Sequence, residues 1–214
     1  MTHFPQDGRR PGPSFEFEDQ LYGIVAGVDE AGRGPWAGPV VAAAVILGRD
    51  GVPPGLDDSK KLSARQREAI YAQLVGIAEI GLGEASVAEI DRMNILQASL
   101  LAMRRAIDHL LVKPGHCLID GCHAPHLNIP STCIVGGDRR SFSIAAASIV
   151  AKVTRDRIMT DLAKEYPHYG WDKNAGYGVP EHKAALDLVG ISPHHRRSFA
   201  PIRKLLSEDS LVTN

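Results

Sequence analysis

Five short apolar runs, most of them bounded by glycine, proline or charged residues, predict the strands of a β-sheet. The first two runs are joined by a connection that contains Gly32, Gly34 and Pro35, which favours antiparallel neighbours. A loop of sequence GVPPG follows the second run at residues 51–55. The five runs lie at residues 24–28, 40–47, 77–85, 117–120 and 132–135.

Helical periodicity separates these runs and dominates the second half of the chain. Ser63 with Gln66, and Ser86 with Glu89, have the spacing of a capping box, which opens a helix. The helices predicted from caps and apolar spacing cover residues 63–76, 86–112, 144–166 and 180–190, with a final helix after residue 198. Strands that come first and then alternate with helices predict an α/β fold with a mixed sheet.

This pattern divides the chain into one domain and two short tails. Residues 1–20 contain three prolines, two glycines and scattered charges without an apolar period, so they are predicted to form a flexible tail. The ordered domain is expected to cover residues 21–205, and residues 206–214 are expected to form a C-terminal tail. A single domain suits a chain of 214 residues, which can fold without disulfides or a structural metal.

Composition argues against a membrane-spanning or a secreted, disulfide-rich protein. No stretch approaches the roughly 20 consecutive apolar residues of a membrane span. The first 20 residues lack the apolar run of a secretory signal, so none is expected. The odd number of cysteines, three, favours a reducing compartment, and we expect a cytoplasmic location.

The formal net charge of −1 conceals an uneven distribution along the chain. Residues 1–138 carry 12 basic against 17 acidic residues, whereas residues 139–204 carry 12 basic against 6 acidic residues. A basic C-terminal third beside an acidic part is typical of a protein that holds a polyanion near a carboxylate site. Chance variation in solvated surface charge is the alternative interpretation.

Four carboxylates follow directly on apolar, strand-like runs, and each has a glycine close by. They are Asp29, Glu30, Asp120 and Asp138. Two carboxylates about 4 Å apart repel by roughly 4 kcal/mol at an effective dielectric constant near 20. If the four converge, they therefore require a cation, and an all-oxygen ligand set selects Mg²⁺ or Mn²⁺. Separate acids that cap turns or pair with nearby arginines are the alternative.

A group of histidines and cysteines between residues 116 and 133 suggests a different metal, zinc. Its members are His116, Cys117, Cys122, His123, His126 and Cys133. The spacing lacks a Cys-x₂-Cys knuckle, and Cys117 falls within a predicted strand. We therefore favour a role for Cys117 as a small core residue.

Motifs spread over residues 21–205 occur in a fixed order. They are DEAGRGP at residues 29–35, LDDSKKL at 56–62, LIDG at 118–121, AAASIVAKVTRD at 145–156, GYG at 176–178 and HHRRSF at 194–199. In this order the motifs resemble those of type 2 ribonucleases H, specifically bacterial ribonuclease HII. The resemblance implies a ribonuclease H-like fold, in which helices flank a central mixed sheet and a helical C-terminal part grips a duplex.

The same resemblance implies a reaction and a site. Asp29, Glu30, Asp120 and Asp138 would hold two divalent ions, Mn²⁺ or Mg²⁺, as catalytic ligands. The phosphodiester on the 5′ side of a ribonucleotide, in an RNA–DNA hybrid or embedded in duplex DNA, would be cleaved to 3′-hydroxyl and 5′-phosphate ends. The residues implied to read the ribose 2′-hydroxyl are Gly32, Arg33 and Gly34, with Tyr177 packed on a neighbouring sugar.

Basic and hydroxyl side chains supply candidate phosphate contacts. Ser148 and Lys152 share one face of the predicted helix over residues 144–166 with Arg155, which suggests a phosphate-binding stripe. Lys152 with Asp156 also has the spacing of an exposed, salt-bridged face. The full set of candidates is Lys60, Lys61, Ser148, Lys152, Arg196 and Arg197. Trp36 and Trp171 are expected to pack rather than to stack on bases.

Three functions compete at this point. The leading hypothesis is a monomeric, metal-dependent endoribonuclease whose partners are RNA–DNA hybrids and DNA duplexes that contain ribonucleotides. The second is a hybrid-binding module without turnover, which loss of any of the four acids would favour, although all four are present. The third is a zinc-binding interaction protein.

Overall fold

A five-stranded mixed sheet forms the centre of the computed structural model, which describes residues 12–212 and the side chains of residues 12–207. The strands lie in the order β3-β2-β1-β4-β5. Strand β2 is antiparallel to both of its neighbours, β3 and β1, whereas β1, β4 and β5 run parallel to one another. Their bounds are β1 Val25–Ala31, β2 Val40–Ile46, β3 Glu79–Ala85, β4 His116–Asp120 and β5 Ser131–Ile134. The predicted α/β fold with a mixed sheet is confirmed.

Helices cover both faces of this sheet. Residues of β2 alternate between the two cores, since Ala42 and Ala44 face α3 while Ala43 and Val45 face α4. The helices are α1 Ala64–Ile77, α2 Val87–Met93, α3 Ile95–Asp108, α4 Phe142–Glu165, α5 Trp171–Asn174, α6 Pro180–Val189 and α7 Ala200–Val212. Among the described helices, none combines the length and apolar character needed to cross a lipid bilayer.

Glycines in the sheet allow the helices to pack very close to the strands. A Cβ added to Gly27 in β1 would lie 2.1 Å from the backbone carbon of Ser143, at the start of α4. Additions at Gly81 and Gly83 in β3 would meet backbone atoms of α3 in the same way. The small residues of β1 and β3 therefore bring helix backbone into direct contact with strand backbone.

The predicted helix over residues 86–112 is wrong in one respect, because the structure divides it into two. Asn94 adopts a φ of 71°, which ends α2, and its side-chain oxygen accepts hydrogen bonds from the N–H groups of Leu96 and Gln97. One residue thus ends one helix and caps the next. Both predicted capping boxes, at Ser63 and Ser86, are present.

The fold also begins earlier and ends later than the sequence pattern predicts. Ser14 forms a bridge with Ser141, and the ring of Phe15 packs edge-on against Phe142. Glu18 is buried, and its carboxylate accepts hydrogen bonds from the Ser141 hydroxyl and the Ser143 N–H. The start of the domain at residue 21 is therefore wrong, since residues 12–20 pack as a strap over the first turn of α4.

The last helix extends beyond the predicted C-terminal boundary at residue 205, because α7 continues to Val212. Residues 1–11 and 213–214, which belong to the two predicted tails, lie outside the described residues. Their assignment to tails stays a prediction.

The short helices after α4 surround one buried aromatic side chain. Trp171 is fully buried and stacks on Tyr169 with ring centroids 4.9 Å apart. The ring of Trp36 occupies the space beside Gly178, where an added Cβ would lie 2.0 Å from it. Packing, the role expected for both tryptophans, is their role in this fold.

Candidate active site

Two of the predicted acids stand side by side near the carboxyl ends of neighbouring strands. In the parallel pair of β1 and β4, Val28 is opposite Ile119, so the next residues, Asp29 and Asp120, emerge together. An oxygen of Asp120 also accepts a hydrogen bond of 2.7 Å from the backbone of Gly137, which anchors the turn that carries Asp138. The topology of the sheet therefore brings the predicted acids to one edge.

Burial, together with mutual repulsion, marks these acids as a cluster. Burial, followed by the negative charges of Glu30 and Asp120, raises the pKa of Asp29 well above its usual value. Burial also raises the pKa of Glu30, against the influence of the adjacent Arg33 guanidinium. The pKa of Asp138 is raised by burial and then by the charge of Asp120. The carboxylates therefore destabilise one another when all are charged.

Basic side chains partly compensate this charge, as the alternative interpretation of the sequence allows. Arg33 lies 3.2 Å from a carboxylate oxygen of Glu30. Lys60 and Arg139 approach different oxygens of Asp138, at 3.5 Å and 3.7 Å. Although burial opposes the charge on Lys60, the surrounding carboxylates, Asp138 first, raise its pKa overall.

The donor set fits a hard divalent cation in its chemistry and charge. Within the described residues, no three His, Cys, Asp or Glu side chains already stand in the arrangement of a metal site. Like-charged carboxylates converge fully only around a cation, and oxygen donors at this density suit Mg²⁺ or Mn²⁺. The raised pKa values of Asp29, Glu30 and Asp138 identify where such a cation would relieve repulsion.

A cleft of about 270 Å³ joins the acids to the predicted ribose-reading residues. An added Cβ at Gly34 would lie 3.4 Å from the ring of Tyr177, so the two residues flank the same space. The Tyr177 side chain is 47% exposed and available to a ligand. Predicted residues that line the cleft are Asp29, Glu30, Asp120, Gly32, Arg33, Gly34, Tyr177, Lys60, Ser148 and Lys152. Asp138 lies buried beside it.

Two candidate phosphate contacts on α4 lie in this cleft but already have partners. The Ser148 hydroxyl is 2.9 Å from that of Ser59 and also hydrogen bonds to Asp29, which lowers the pKa of that carboxyl against the larger effect of burial. Lys152 donates to Asp156 at 2.7 Å, as the alternative for this pair predicts. Ser148 is therefore part of the acid cluster, whereas Lys152 borders it.

The other basic candidates lie outside the cleft. The ammonium of Lys61 pairs with Asp57. Arg197 is exposed, and its backbone N–H donates to Asp91. Arg196 is fully buried, and its guanidinium donates to backbone carbonyls, so the surface phosphate contact predicted for it is wrong.

Two residues that fix the loop beside the cleft were given no role by the sequence pattern. Arg67 on α1 lines the cleft and donates to the carbonyls of Ser59 and Leu62, which fixes the loop that carries Lys60. Asp58 caps the same loop by accepting from the Lys60 N–H. The DDSKK segment offered a signal for Asp58, but nothing in the spacing of Arg67 identifies a contact eight residues away.

The sequence pattern also did not identify a pair of buried histidines that supports Tyr177. His182 donates through Nδ1 to the Tyr177 carbonyl, and its Nε2 lies 3.2 Å from the Trp171 indole N–H and 3.0 Å from Nε2 of His195. Because Nδ1 of His195 accepts from the Ser192 N–H, its proton is assigned to Nε2, which donates to His182. Both rings are therefore neutral in a satisfied network.

This network predicts that stability falls in mild acid. Burial, then the neighbouring His182, lowers the pKa of His195 to about 4. The unfolded chain takes up the proton near pH 6.5, so the contribution of His195 to stability is complete above that pH and is lost as the pH falls towards 4. Urea titrations should give a free energy of unfolding about 2 kcal/mol lower at pH 5 than at pH 7 from this residue.

Two substitutions test that expectation. His195→Gln should flatten the dependence of unfolding on pH between 7 and 5, whereas His168→Gln, at an exposed position, should keep the wild-type slope. Equal slopes in wild type and His195→Gln would refute the assignment.

Comparison with known proteins yields consistent matches. The family model described as Ribonuclease HII matches residues 26–202. The protein named Ribonuclease HII from Jannaschia sp. is 58% identical over 91% of this chain and 98% of its own length. That from Magnetococcus marinus is 54% identical over 92% of this chain and 96% of its own length. The crystal structure of the ribonuclease H2 from Pyrococcus horikoshii superposes with a TM-score of 0.69 at 29% identity, over 89% of this chain and 99% of that one.

Proposed function

Since the chain belongs to the ribonuclease HII family and is a ribonuclease H, we propose that it cleaves the phosphodiester on the 5′ side of a ribonucleotide. The substrates are RNA–DNA hybrids and DNA duplexes that contain embedded ribonucleotides. The products carry 3′-hydroxyl and 5′-phosphate ends. Action as a monomer and a cytoplasmic location stay predictions from the sequence.

One observation carries this proposal. Asp29 and Asp120 stand side by side near the carboxyl ends of β1 and β4, and they line the same cleft as Gly32 and Tyr177. A phosphate bound at the acids would therefore have its adjoining sugar within reach of the glycine turn. That arrangement supports cleavage next to a ribose rather than a general phosphodiesterase.

Divalent cations, Mn²⁺ or Mg²⁺, are the cofactors we assign to Asp29, Glu30, Asp120 and Asp138. When bound, two such ions activate the attacking water and stabilise the charge on the leaving oxygen. The contribution of the chain is geometric and electrostatic, because phosphoryl transfer needs positioning more than covalent help. The rigid end of the sheet holds the carboxylates in place, and Lys60 adds a positive charge beside Asp138 that favours a phosphate.

Recognition of the sugar is assigned to Gly32, Arg33, Gly34 and Tyr177. Only the 2′-hydroxyl distinguishes RNA from DNA at a single position, and backbone groups of a glycine turn can approach it without a side chain in the way. Lys152 at the cleft, with Lys61 and Arg197 outside it, would contact the phosphate backbone without reading sequence.

The decisive experiment uses an end-labelled DNA duplex with one internal ribonucleotide, incubated with and without Mn²⁺ or Mg²⁺. We expect metal-dependent cleavage 5′ of the ribonucleotide, with a 3′-hydroxyl on the upstream fragment, and no cleavage of the all-DNA duplex. A parallel RNA–DNA hybrid tests the second substrate. Tight binding without cleavage under all these conditions would instead support the non-catalytic hybrid-binding module.

Removal of the tyrosine ring tests the sugar-reading assignment. Tyr177→Ala should lower kcat/KM on the single-ribonucleotide duplex about tenfold, equal to about 1.4 kcal/mol, because the ring that flanks Gly34 is lost. The melting temperature should change little, since the side chain is about half exposed. Tyr177→Phe, which keeps the ring, should retain most of the activity. Unchanged cleavage by Tyr177→Ala would remove this residue from the site.

A further inference from the structure

Two buried arginine side chains lie at the base of the cleft, which Arg155 also lines, and the proposed reaction gives neither a role. Because it is buried, Arg155 is not part of an exposed phosphate-binding stripe. Arg155 on α4 is 1% exposed, and Arg196, just before α7, is 0% exposed. Every hydrogen bond that the structure gives to either guanidinium goes to a backbone carbonyl. A buried cation is costly, so the pairing of all three nitrogens of each guanidinium with carbonyls indicates that the surrounding loops are built around it.

Arg155 joins two separate segments of the chain. Its Nε and Nη2 donate to the carbonyls of Pro39 and Ala37, at 3.0 Å and 3.1 Å, in the connection between β1 and β2. Its Nη1 donates to the carbonyl of Ala175 at 3.0 Å, two residues before Tyr177. One guanidinium thus ties the connection after the glycine turn to the segment that carries the tyrosine.

Arg196 holds the glycine turn itself. Its Nη2 donates to the carbonyl of Gly32 at 2.6 Å, and its Nη1 donates to that of Arg33 at 3.0 Å. Its Nε donates to the carbonyl of Gly38 at 2.9 Å. Both ends of the connection between β1 and β2 therefore form hydrogen bonds with one rigid, planar guanidinium.

Close packing leaves this assembly little freedom. Gly32 has a φ of +98°, and an added Cβ there would lie 1.9 Å from Nε of Arg155. The N–H of Trp36 donates to the Gly176 carbonyl at 2.8 Å, which ties the two segments together a second time. These contacts thus fix the separation between the Gly34 backbone and the Tyr177 ring.

We propose that Arg155 and Arg196 are positioning residues that set this separation and thereby the selection of ribose over deoxyribose. The inference rests on the proposed function, in which the glycine turn and Tyr177 meet the 2′-hydroxyl. Ribose and deoxyribose differ by a single oxygen atom, so displacement of either side of the site by about 1 Å removes the contact that separates them.

The choice of arginine offers a conservative test. A guanidinium presents five N–H donors in a fixed plane and can span several carbonyls, whereas a lysine ammonium presents its donors from one atom. Arg155→Lys and Arg196→Lys therefore keep the charge and lose the bridge. Arg157→Lys is the matched control, because Arg157 lies on the same helix, is exposed, and pairs with Glu68 at the surface.

Fluorescence anisotropy in EDTA, which prevents metal-dependent cleavage, gives the dissociation constants of two duplexes of identical sequence. One contains a single ribonucleotide and the other is entirely DNA. The wild type and Arg157→Lys should bind the ribonucleotide duplex more tightly than the DNA duplex. In Arg155→Lys and Arg196→Lys, we expect this ratio of dissociation constants to fall at least threefold towards 1, with affinity for the DNA duplex largely kept.

The ratio separates positioning from folding, because partial unfolding lowers the active fraction equally for both duplexes. A wild-type ratio in both lysine variants, or equal loss of binding to both duplexes, would overturn the inference and leave the proposed function standing. Equal binding of both duplexes by the wild type would also overturn it. Failure of the proposed function has a separate signature, the absence of metal-dependent cleavage at the ribonucleotide by the wild type.

Discussion

Asp29→Asn is expected to abolish cleavage while leaving the folded protein slightly more stable. The substitution keeps the shape of the side chain but removes one charge from the set of oxygen donors, so kcat/KM should fall by about 10³-fold or more, roughly 4 kcal/mol. Burial and the charges of Glu30 and Asp120 raise the pKa of Asp29, so its carboxylate opposes folding at neutral pH. Removal of that charge should therefore raise the free energy of unfolding.

Three measurements check this expectation: cleavage of the single-ribonucleotide duplex, binding of the same duplex in EDTA, and urea unfolding at pH 7. Asp161→Asn is the control, since Asp161 lies on the surface of α4 in an exposed pair with Lys164. It should leave all three unchanged. Wild-type activity of purified Asp29→Asn with Mn²⁺ would eliminate the assigned site.

Gly27→Ala should strongly destabilise the fold, although it adds only one methyl group to the sheet. The new Cβ would lie 2.1 Å from the backbone carbon of Ser143 and 2.3 Å from the backbone nitrogen of Ile144. Neither atom can move without shifting the start of α4 away from β1. We expect the free energy of unfolding to fall by about 3 kcal/mol, measured by urea titration, because overpacking against backbone is poorly relieved.

The opposite sign is expected at another glycine. Gly76 lies within α1, and an added Cβ there meets nothing within 4 Å. Gly76→Ala should therefore stabilise the protein by about 0.5–1 kcal/mol, through the restricted unfolded chain and the higher helix propensity of alanine. Equal effects of the two substitutions would contradict the close contact described between β1 and α4.

Local patterns carried most of the prediction of the fold. Alternation and turn residues place the strands within a few residues of their observed bounds, and the spacing of Ser63 and Gln66 predicts the cap that forms. The break at Asn94 escaped the pattern, because apolar spacing continues across it. A single residue with positive φ leaves little trace in the local sequence, yet it changes the direction of the helical chain.

Long-range contacts account for the errors at the site. A run of His, His, Arg and Arg suggests a solvated surface, but Arg196 is buried by carbonyls that lie more than 150 residues earlier in the chain. The acids, in contrast, could be predicted because their positions follow from local sequence. Asp29 and Asp120 each come directly after a run of buried strand residues, and the carboxyl ends of parallel strands meet at one edge of the sheet.

The strap formed by residues 12–20 limits how far the chain can be shortened. Its Glu18 carboxylate fastens the first turn of α4, the helix that brings Ser148 to the acid cluster. This strap precedes residues 26–202, the span shared with the family model. A chain shortened to that span would therefore lose the carboxylate that fastens α4, although every motif at the cleft would still be present.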